Sequence, residues 1–447
     1  MNIRHLIADF VMKEIYLGLI GFGTIGTGVV KLLHDNAQLI QERLGASLVI
    51  KKIADLDLYT PRIVSVDSSV LTTDAGSIIN DPGIDIVLEL MGGYEPARSF
   101  ILGSLQNKKH VVTANKALLA TYGNEIFATA EKERVNIGFE ASVGGTIPVI
   151  KTLREGLVGN NIKSILGIIN GTANFILTKM TDEGKAFDEV LREAQTLGFA
   201  EADPTYDIEG IDAAHKLAII LALAYGKKVN LDDIYREGIS NISQQDIDFA
   251  KELGYRIKLL AIAREAGDVV EARLHPTMIP LDHLLSNVSS NYNAFHIVGD
   301  ASGPIFLYGQ GAGMMPTASA VVSDIVDIAR EIMKGISCLR PGRSYHETGN
   351  SNISLMPMDD VCTNYYFRFS AVDRPGVLSV ISGILGSKNI SIAAVIQKGR
   401  RKNGSVPVVI TTYKAREKDV QDALVEIGCH EVVLDKTVVI RIEDDKL

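Results

Sequence analysis

Cysteine is scarce in this sequence and badly spaced for bonding. Cys338, Cys362 and Cys429 are odd in number, far apart and without a CxxC or Cys/His spacing. That excludes a disulfide framework or a zinc site as an organising device and leaves reduced, intracellular thiols as the expectation. Positive charge is also in deficit: 45 Lys and Arg stand against 54 Asp and Glu, a formal net charge of -9. With no basic stripe to offer a phosphate backbone, a nucleic-acid partner is not expected, and small molecules are the ligands to look for. Long apolar runs are missing as well. The most apolar stretch, 217–225, is about half the length of a bilayer span and ends in Gly226-Lys227-Lys228, so it reads as a buried helix. At the N-terminus Arg4, Asp9, Lys13 and Glu14 interrupt any apolar run, so neither a signal peptide nor membrane attachment is expected, and the cytoplasm is the expected location.

What is present is ordinary for a globular protein but too long for one core. A chain of 447 residues with 46% hydrophobic and 22% charged content predicts two to four domains. The apolar run 15–20 is followed by the turn GFGTIG, Gly21 to Gly26, and then by a helix pattern from Gly28 to Leu33 that carries on towards Leu44. Further strands are expected at 48–54, ending at Asp55, and at 84–90 after the turn Asn80-Asp81-Pro82-Gly83. A helix at 97–108 leads to strands at 110–113 and 136–140. Such alternation implies a doubly wound parallel sheet, an α/β Rossmann-type domain with its ligand at the carboxyl edge. From Ala141 to about Tyr308 longer helices mix with strands, including 162–169 before Asn170-Gly171-Thr172 and a helix over 212–225, which suggests a second, substrate-side α+β domain. A helix over 317–333 is expected to pack back on the first domain, and 336–362, rich in Gly, Pro, Ser and Asn, reads as a linker. Beyond it the order βαββαβ predicts a ferredoxin-like unit.

In the glycine turn, Gly21 permits the tight turn, Gly23 lets the backbone approach a pyrophosphate, and Gly26 allows the helix to pack closely on the strand. The helix N-terminus then receives the negative charge. Asp55 would meet a ribose hydroxyl and so favours NAD, or it is simply a solvated loop acid. Nearby Lys51, Lys52 and Arg62 could instead meet a 2′-phosphate. Thr113-Ala-Asn-Lys116 lies where the nicotinamide would sit, and its lysine is either functional or a helix-start charge. The segment from Gly198 to Lys216 holds the densest run of carboxylates. Asp212 and Lys216 are four apart and share one helical face. A surface ion pair is the bland reading, but the following turns are apolar on all sides, so charges at the mouth of that helix point to a cleft. His215, elsewhere on the helix, reads as structural. In Glu140-Ala-Ser-Val-Gly-Gly-Thr-Ile147 carbonyls could turn around a hard cation with Glu140 supplying a carboxylate, although from spacing alone a plain strand-to-helix turn is the favoured reading.

Taken together the motifs resemble the homoserine dehydrogenase family, in the long form with a C-terminal ACT domain. GFGTIG, Thr113-Ala-Asn-Lys116, Glu140 to Ile147, Asn170-Gly-Thr-Ala-Asn174, the Glu201 to Lys216 segment, and Gly311-Ala-Gly followed by Pro316-Thr-Ala-Ser-Ala320 cover about residues 15–327 in the family's order. Asp373-Arg-Pro-Gly-Val-Leu378 and Asn389-Ile-Ser-Ile392 look like an ACT module. The resemblance implies a Rossmann cofactor domain at 1–140 completed by 309–335, a substrate and dimerisation domain at 141–308, the linker 336–362, and an ACT domain at 363–447. The implied reaction is reversible, NAD(P)H-dependent reduction of L-aspartate 4-semialdehyde to L-homoserine, on the route to threonine, methionine and isoleucine. Lys216 would be its general acid, with Lys116 assisting at the nicotinamide. Glu201, Asp207 and Asp212, with the turn Asn170-Gly171-Thr172, would hold substrate. Gly21, Phe22, Gly23, Thr24, Ile25, Gly26, Asp55, Thr113, Lys116 and Gly311 would hold NADP or NAD. Glu140, Val143, Gly145 and Ile147 match a sodium site. Threonine would act through the ACT module near Asp373, Gly376, Asn389 and Ile390, and a homodimer or homotetramer is implied.

Three departures qualify the resemblance. Residues 1–13 extend past the family's usual start; Ala54-Asp55 stands where NADP-preferring members often carry Arg; and no kinase-like segment precedes the dehydrogenase motifs, so the bifunctional form is not expected. Two rival readings differ in what they require. A non-catalytic nucleotide or amino-acid sensor has no need of Lys216, and another amino-acid dehydrogenase would lack the Asn170 turn and the Glu201 to Lys216 constellation together.

Overall fold

The computed structural model describes residues 13–226, 229–336, 354–397 and 405–444. The expectations for residues 1–12, for Lys227 and Lys228, and for the 337–353 part of the linker fall outside them. The chain divides into two compact units: the described residues of Met1–Gly159, His215–Leu231 and Leu307–Asn352, and those of Asn160–Ala214, Asp232–Phe306 and Ile353–Leu447.

In the first unit, strands β1 (Glu14–Ile20), β2 (Ser47–Ala54), β3 (Leu71–Thr72), β4 (Ile86–Glu89), β5 (His110–Thr113) and β6 (Ile137–Gly138) form one sheet in the order β3-β2-β1-β4-β5-β6. Every pairing is parallel. The order reverses between β1 and β4, and such a switch point opens a crevice beyond the carboxyl ends of the strands. Ile15, Leu17 and Leu19 of β1 are buried with Val29, Val30 and Leu33 of helix Thr24–Asp35 and with Ala318, Val321, Ile325 and Ala329 of helix Met314–Lys334. Their spacing of three and four puts the last set on one helical face, and the helix stops at the left-handed Gly335. Two details differ from the sequence reading. The run from Gly28 towards Leu44 is two helices, Thr24–Asp35 and Ala37–Leu44, broken at Asn36. The two-residue β3 is an added edge strand, too short to leave a period-two signal.

The second unit is built on a mixed sheet. Its strands are β7 (Ile162–Ile168), β8 (Tyr235–Arg236), β9 (Tyr255–Ala266), β10 (Val269–Pro280), β11 (Tyr292–Gly299), β12 (Gly303–Gln310, which passes into the first unit at Leu307), β13 (Cys362–Val372), β14 (Ile392–Gln397), β15 (Ser405–Thr412), β16 (Ala415–Arg416) and β17 (Val438–Ile442). The order β12-β11-β7-β9-β10-β17-β13-β15-β14 runs from the middle of the chain into the C-terminal βαββαβ module without a break. The join is parallel, Thr277 to Arg441 and Met278 to Ile442. Arg273, buried on β10, reaches Glu271 at 2.6 Å and also bonds Glu443, which accepts from Arg264 at 2.9 Å. Asp246, fully buried in the capping box of helix Gln244–Glu252, accepts from Arg368 of β13 at 2.6 Å and from the Tyr366 hydroxyl at 3.1 Å. Buried charges survive folding when paired in this way. The described end of the linker is ordered too: Val270 exchanges backbone bonds with Ser354 and Met356.

Candidate active site

Helix Thr24–Asp35 begins at Gly23 with no side-chain cap and no acidic residue in its first turn. Its leading amides are therefore left to an anion. Gly21 has φ +98°, and a Cβ there would lie 2.7 Å from the Leu90 carbonyl carbon, so only glycine fits between the two strand ends. Nothing stands within 4 Å of a Cβ at Gly23, the open side of the turn. The crevice beside it has a volume of about 520 Å³ and is lined by Gly21, Gly23, Asp55, Asp74, Met91 and Phe100, among others, with no lysine or arginine among the described lining residues. Asp55 accepts hydrogen bonds from the Phe22 and Asp57 amides, which ties the end of β2 to the glycine turn. Lys51 and Lys52 are held by Asp81 at 3.0 and 3.3 Å. Arg62 lies 4.6 Å from the Phe22 ring and donates to the Phe22, Thr60 and Asp57 carbonyls. All three cations weighed against a 2′-phosphate are thus engaged within the protein.

Two further residues organise this edge: Glu89, which sequence reasoning missed, and Asn115, which it named only as part of the Thr113 to Lys116 motif. Glu89 is fully buried at the end of β4, where it accepts from the Thr113 hydroxyl at 2.6 Å and from the Met91 and Gly92 amides at 3.1 and 3.2 Å. Burial pushes its carboxyl up from the ordinary value. Asn115 donates to the Gly93 carbonyl at 2.7 Å and caps helix Lys116–Glu133 through the Leu118 amide. Together they tie the 91–93 loop to the segment that ends in half-buried Lys116. Thr113 serves this brace rather than the crevice wall.

Glu140, also buried, opens a single 3-10 turn, and its carboxylate oxygens accept from the Ile150 and Lys151 amides at 2.8 and 2.9 Å. Burial, with the charge of Asp324 beside it, pushes its pKa up to about 7. The carboxylate expected to ligate a cation is thus occupied by backbone donors. The donors left to a cation are carbonyls of the 140–147 turn. Among the described residues no group of three or more His, Cys, Asp and Glu side chains could hold a metal. Gly311 lies behind this turn, where a Cβ on Gly145 would come within 2.5 Å of its carbonyl carbon.

In the second unit, Asn170 caps helix Gly171–Glu183 by accepting from the Ala173 amide at 2.8 Å. Its amide nitrogen donates to Asp207 at 2.8 Å and to Asp212 at 2.9 Å. One neutral donor thereby gathers two carboxylates. Thr172 turns to the Phe199 carbonyl at 2.6 Å, Gly171 packs against Asn291, and Glu201 is exposed in the loop before Asp207. Helix Ile211–Tyr225 passes from the second unit into the first after Ala214; along it Asp212 and Lys216 lie one turn apart, and both are buried, as is His215. Two gathered carboxylates suit an ammonium or hydroxyl ligand, and a lysine one turn away suits proton transfer.

Comparison with known proteins meets this arrangement from outside. Residues 21–140 match the family model described as homoserine dehydrogenase, NAD binding domain, residues 148–326 the model for homoserine dehydrogenase, and residues 365–428 the ACT domain. A homoserine dehydrogenase of Neisseria gonorrhoeae is 46% identical over 97% of this chain and 99% of its own. The chain belongs to the homoserine dehydrogenase family. The crystal structure of a homoserine dehydrogenase from Thiobacillus denitrificans superposes with a TM-score of 0.90 at 46% identity, covering 97% of this chain and 99% of that one. A hyperthermophilic archaeal homoserine dehydrogenase in complex with NADPH matches at TM-score 0.59 and 26% identity over 70% of this chain and 97% of that one.

The chain is accordingly an oxidoreductase of amino-acid biosynthesis with an NAD(P)-binding domain, a mixed-sheet catalytic domain and an ACT domain. No described helix is long and apolar enough to cross a membrane. Within the ACT module, Gly376 takes φ +91° at the start of helix Val377–Ser387 and Asn389 takes φ +59° after its end. Ile390 is buried in the module's core, so its side chain is packed inside rather than presented to an effector.

Proposed function

We propose that this enzyme reduces L-aspartate 4-semialdehyde reversibly to L-homoserine, with NAD as the preferred cofactor. The observation that carries the substrate side is the Asn170 amide gathering Asp207 and Asp212 one helical turn from Lys216. The bound nicotinamide supplies or accepts the hydride. In the reductive direction the Lys216 ammonium protonates the carbonyl oxygen as hydride reaches its carbon; in the oxidative direction the neutral amine takes the hydroxyl proton. Such general acid–base help is worth roughly 10²–10⁴-fold in rate. Asp207 and Asp212, with Glu201 entering from the loop, hold the substrate's ammonium and hydroxyl, and Asn170 keeps the two aspartates apart yet converged. Lys116, at the helix start fixed by Asn115, assists on the nicotinamide side.

The NAD preference rests on Asp55 and on a crevice lined, among the described residues, by two aspartates and no lysine or arginine. Gly21 to Gly26 receive the pyrophosphate. Sodium, where bound, is held by carbonyls of Glu140, Val143, Gly145 and Ile147. Threonine acts as inhibitor at the ACT module through the turns at Asp373, Gly376 and Asn389, and the working form is a homodimer or homotetramer. In this reading 1–140 with 309–335 serves the cofactor, 141–308 the substrate and 363–447 control. A nicotinamide absorbance assay with homoserine and each cofactor tests the reading on wild type and Lys216→Ala. Full turnover in the variant overturns the mechanism, and a preference for NADP overturns the cofactor assignment.

A further inference from the structure

We infer that the ACT module contributes a positioning residue to the substrate site: Arg441 on β17, acting through Glu237 on the carboxylate Asp207. The inference rests on the reading that Asp207 contacts substrate. Arg441 is buried, and its guanidinium is fully committed. Two of its nitrogens meet Glu417 at 2.8 and 2.6 Å in a bidentate pair. The remaining nitrogen donates to Glu237 at 2.8 Å, and the Tyr235 hydroxyl accepts at 3.1 Å, with the Tyr235 ring 5.0 Å from the cation. A planar fork held on one side by Glu417 has a fixed direction on the other, so it places Glu237 rather than merely attracting it.

Glu237 begins the segment that reaches the substrate loop. Its amide donates to the Leu274 carbonyl at 2.8 Å, continuing the parallel pairing of β8 on β10. At the next residue, a Cβ on Gly238 would come within 2.5 Å of the Ile208 carbonyl oxygen, so backbone lies directly on backbone there. The Ile239 amide then donates to that same Ile208 carbonyl at 2.8 Å, and the Ser240 hydroxyl bonds the Glu209 carboxylate. Ile208 ends the single-turn helix Thr205–Ile208 that carries Asp207, whose carboxylate receives the Asn170 amide. A one-turn helix has no cooperative stability of its own and takes its place from what packs on it. Arg441, Glu237, Ile239, Ile208 and Asp207 thus form a continuous run of hydrogen bonds and backbone contact from the C-terminal module to the substrate carboxylates.

The test is steady-state kinetics on the full chain with homoserine and NAD. Glu237→Gln is the main variant, because Glu237 is 34% exposed and the change leaves the Arg441–Glu417 pair intact. Ser240→Ala, at an exposed position, is the second and loosens the same segment from its far end. The expected result is a rise of about 3- to 30-fold in the KM for homoserine with Glu237→Gln, a smaller rise with Ser240→Ala, and no change in kcat or in the KM for NAD. Asp207→Asn separates the two ideas. A raised homoserine KM in Asp207→Asn without one in Glu237→Gln or Ser240→Ala overturns the positioning inference and leaves the substrate reading standing. No change in any of the three overturns the substrate reading and the inference with it. A parallel loss in kcat and in both KM values with Glu237→Gln also overturns it, since that pattern is a general loosening.

Discussion

Lys258 offers the most quantitative test of this structure. It is buried on β9, donates to the Asn174 side-chain oxygen at 2.9 Å and to the Val288 carbonyl at 2.6 Å, and meets no carboxylate in those bonds. Asn174 sits one turn along the helix that Asn170 caps. Burial, with a smaller push from Arg256, brings its pKa down from 10.5 to about 7. Between about pH 7 and 10.5 the unfolded chain therefore holds more protons here than the folded chain, and stability rises with pH across that window. The penalty at pH 7 relative to strongly alkaline solution is at most about 4 kcal/mol, of which about 2 kcal/mol is relieved between pH 7 and pH 9. Lys258→Met abolishes that contribution and strands the Asn174 side-chain oxygen, at a cost of about 1–3 kcal/mol that does not depend on pH, while the Val288 carbonyl keeps the Asn174 amide at 3.1 Å. Urea midpoints of wild type and variant at pH 7, 8 and 9 give the comparison. The wild type should gain about 2 kcal/mol on the variant over the interval. Parallel pH profiles for the two proteins, or a wild type that loses ground as pH rises, refute the account.

Other substitutions probe the remaining parts. Glu89→Gln exchanges an acceptor for a donor facing the Thr113, Met91 and Gly92 donors, and should weaken NADH binding by about 3- to 10-fold in a fluorescence titration; an unchanged Kd removes Glu89 from the cofactor edge. Asp55→Ala frees the Phe22 amide and should lower affinity for NAD more than for NADP, read as the ratio of the two kcat/KM values; an unaltered ratio counts against the role of Asp55. Asp246→Ala leaves half-buried Arg368 without its carboxylate and should cost about 3 kcal/mol, seen as a lower thermal midpoint; a shift near zero shows that the join between the ACT strands and the substrate domain does not depend on that pair.

The doubly wound sheet was legible because its strands are short apolar runs ended by polar residues, and helical periodicity separates them. The two-residue β3 and the break at Asn36 carry no such period. At the site, the sequence singled out Asn170, Asp207 and Asp212, which the fold gathers by hydrogen bonds across some forty residues of chain. It also offered Lys51, Lys52 and Arg62 for a phosphate, and the fold turns each to an internal partner. Glu89 went unnoticed because one acid at the end of an apolar strand looks like any strand terminus; only the amides folded over it mark it as buried. Glu140 was read as a metal-ligating carboxylate, whereas ten residues later the chain returns two amides to it.

By itself the sequence determined the order of the main elements, the glycine turn that opens the NAD-binding domain, and the family to which the chain belongs, all of which depend on neighbours within a turn or two. The tertiary structure alone decided which charges face each other, because that depends on groups from ten to some two hundred residues apart sharing a low-dielectric interior. It also decided that the ACT strands extend the substrate domain's sheet. β17 pairs with β10 through backbone groups that every residue carries, so no side-chain pattern could have announced the join.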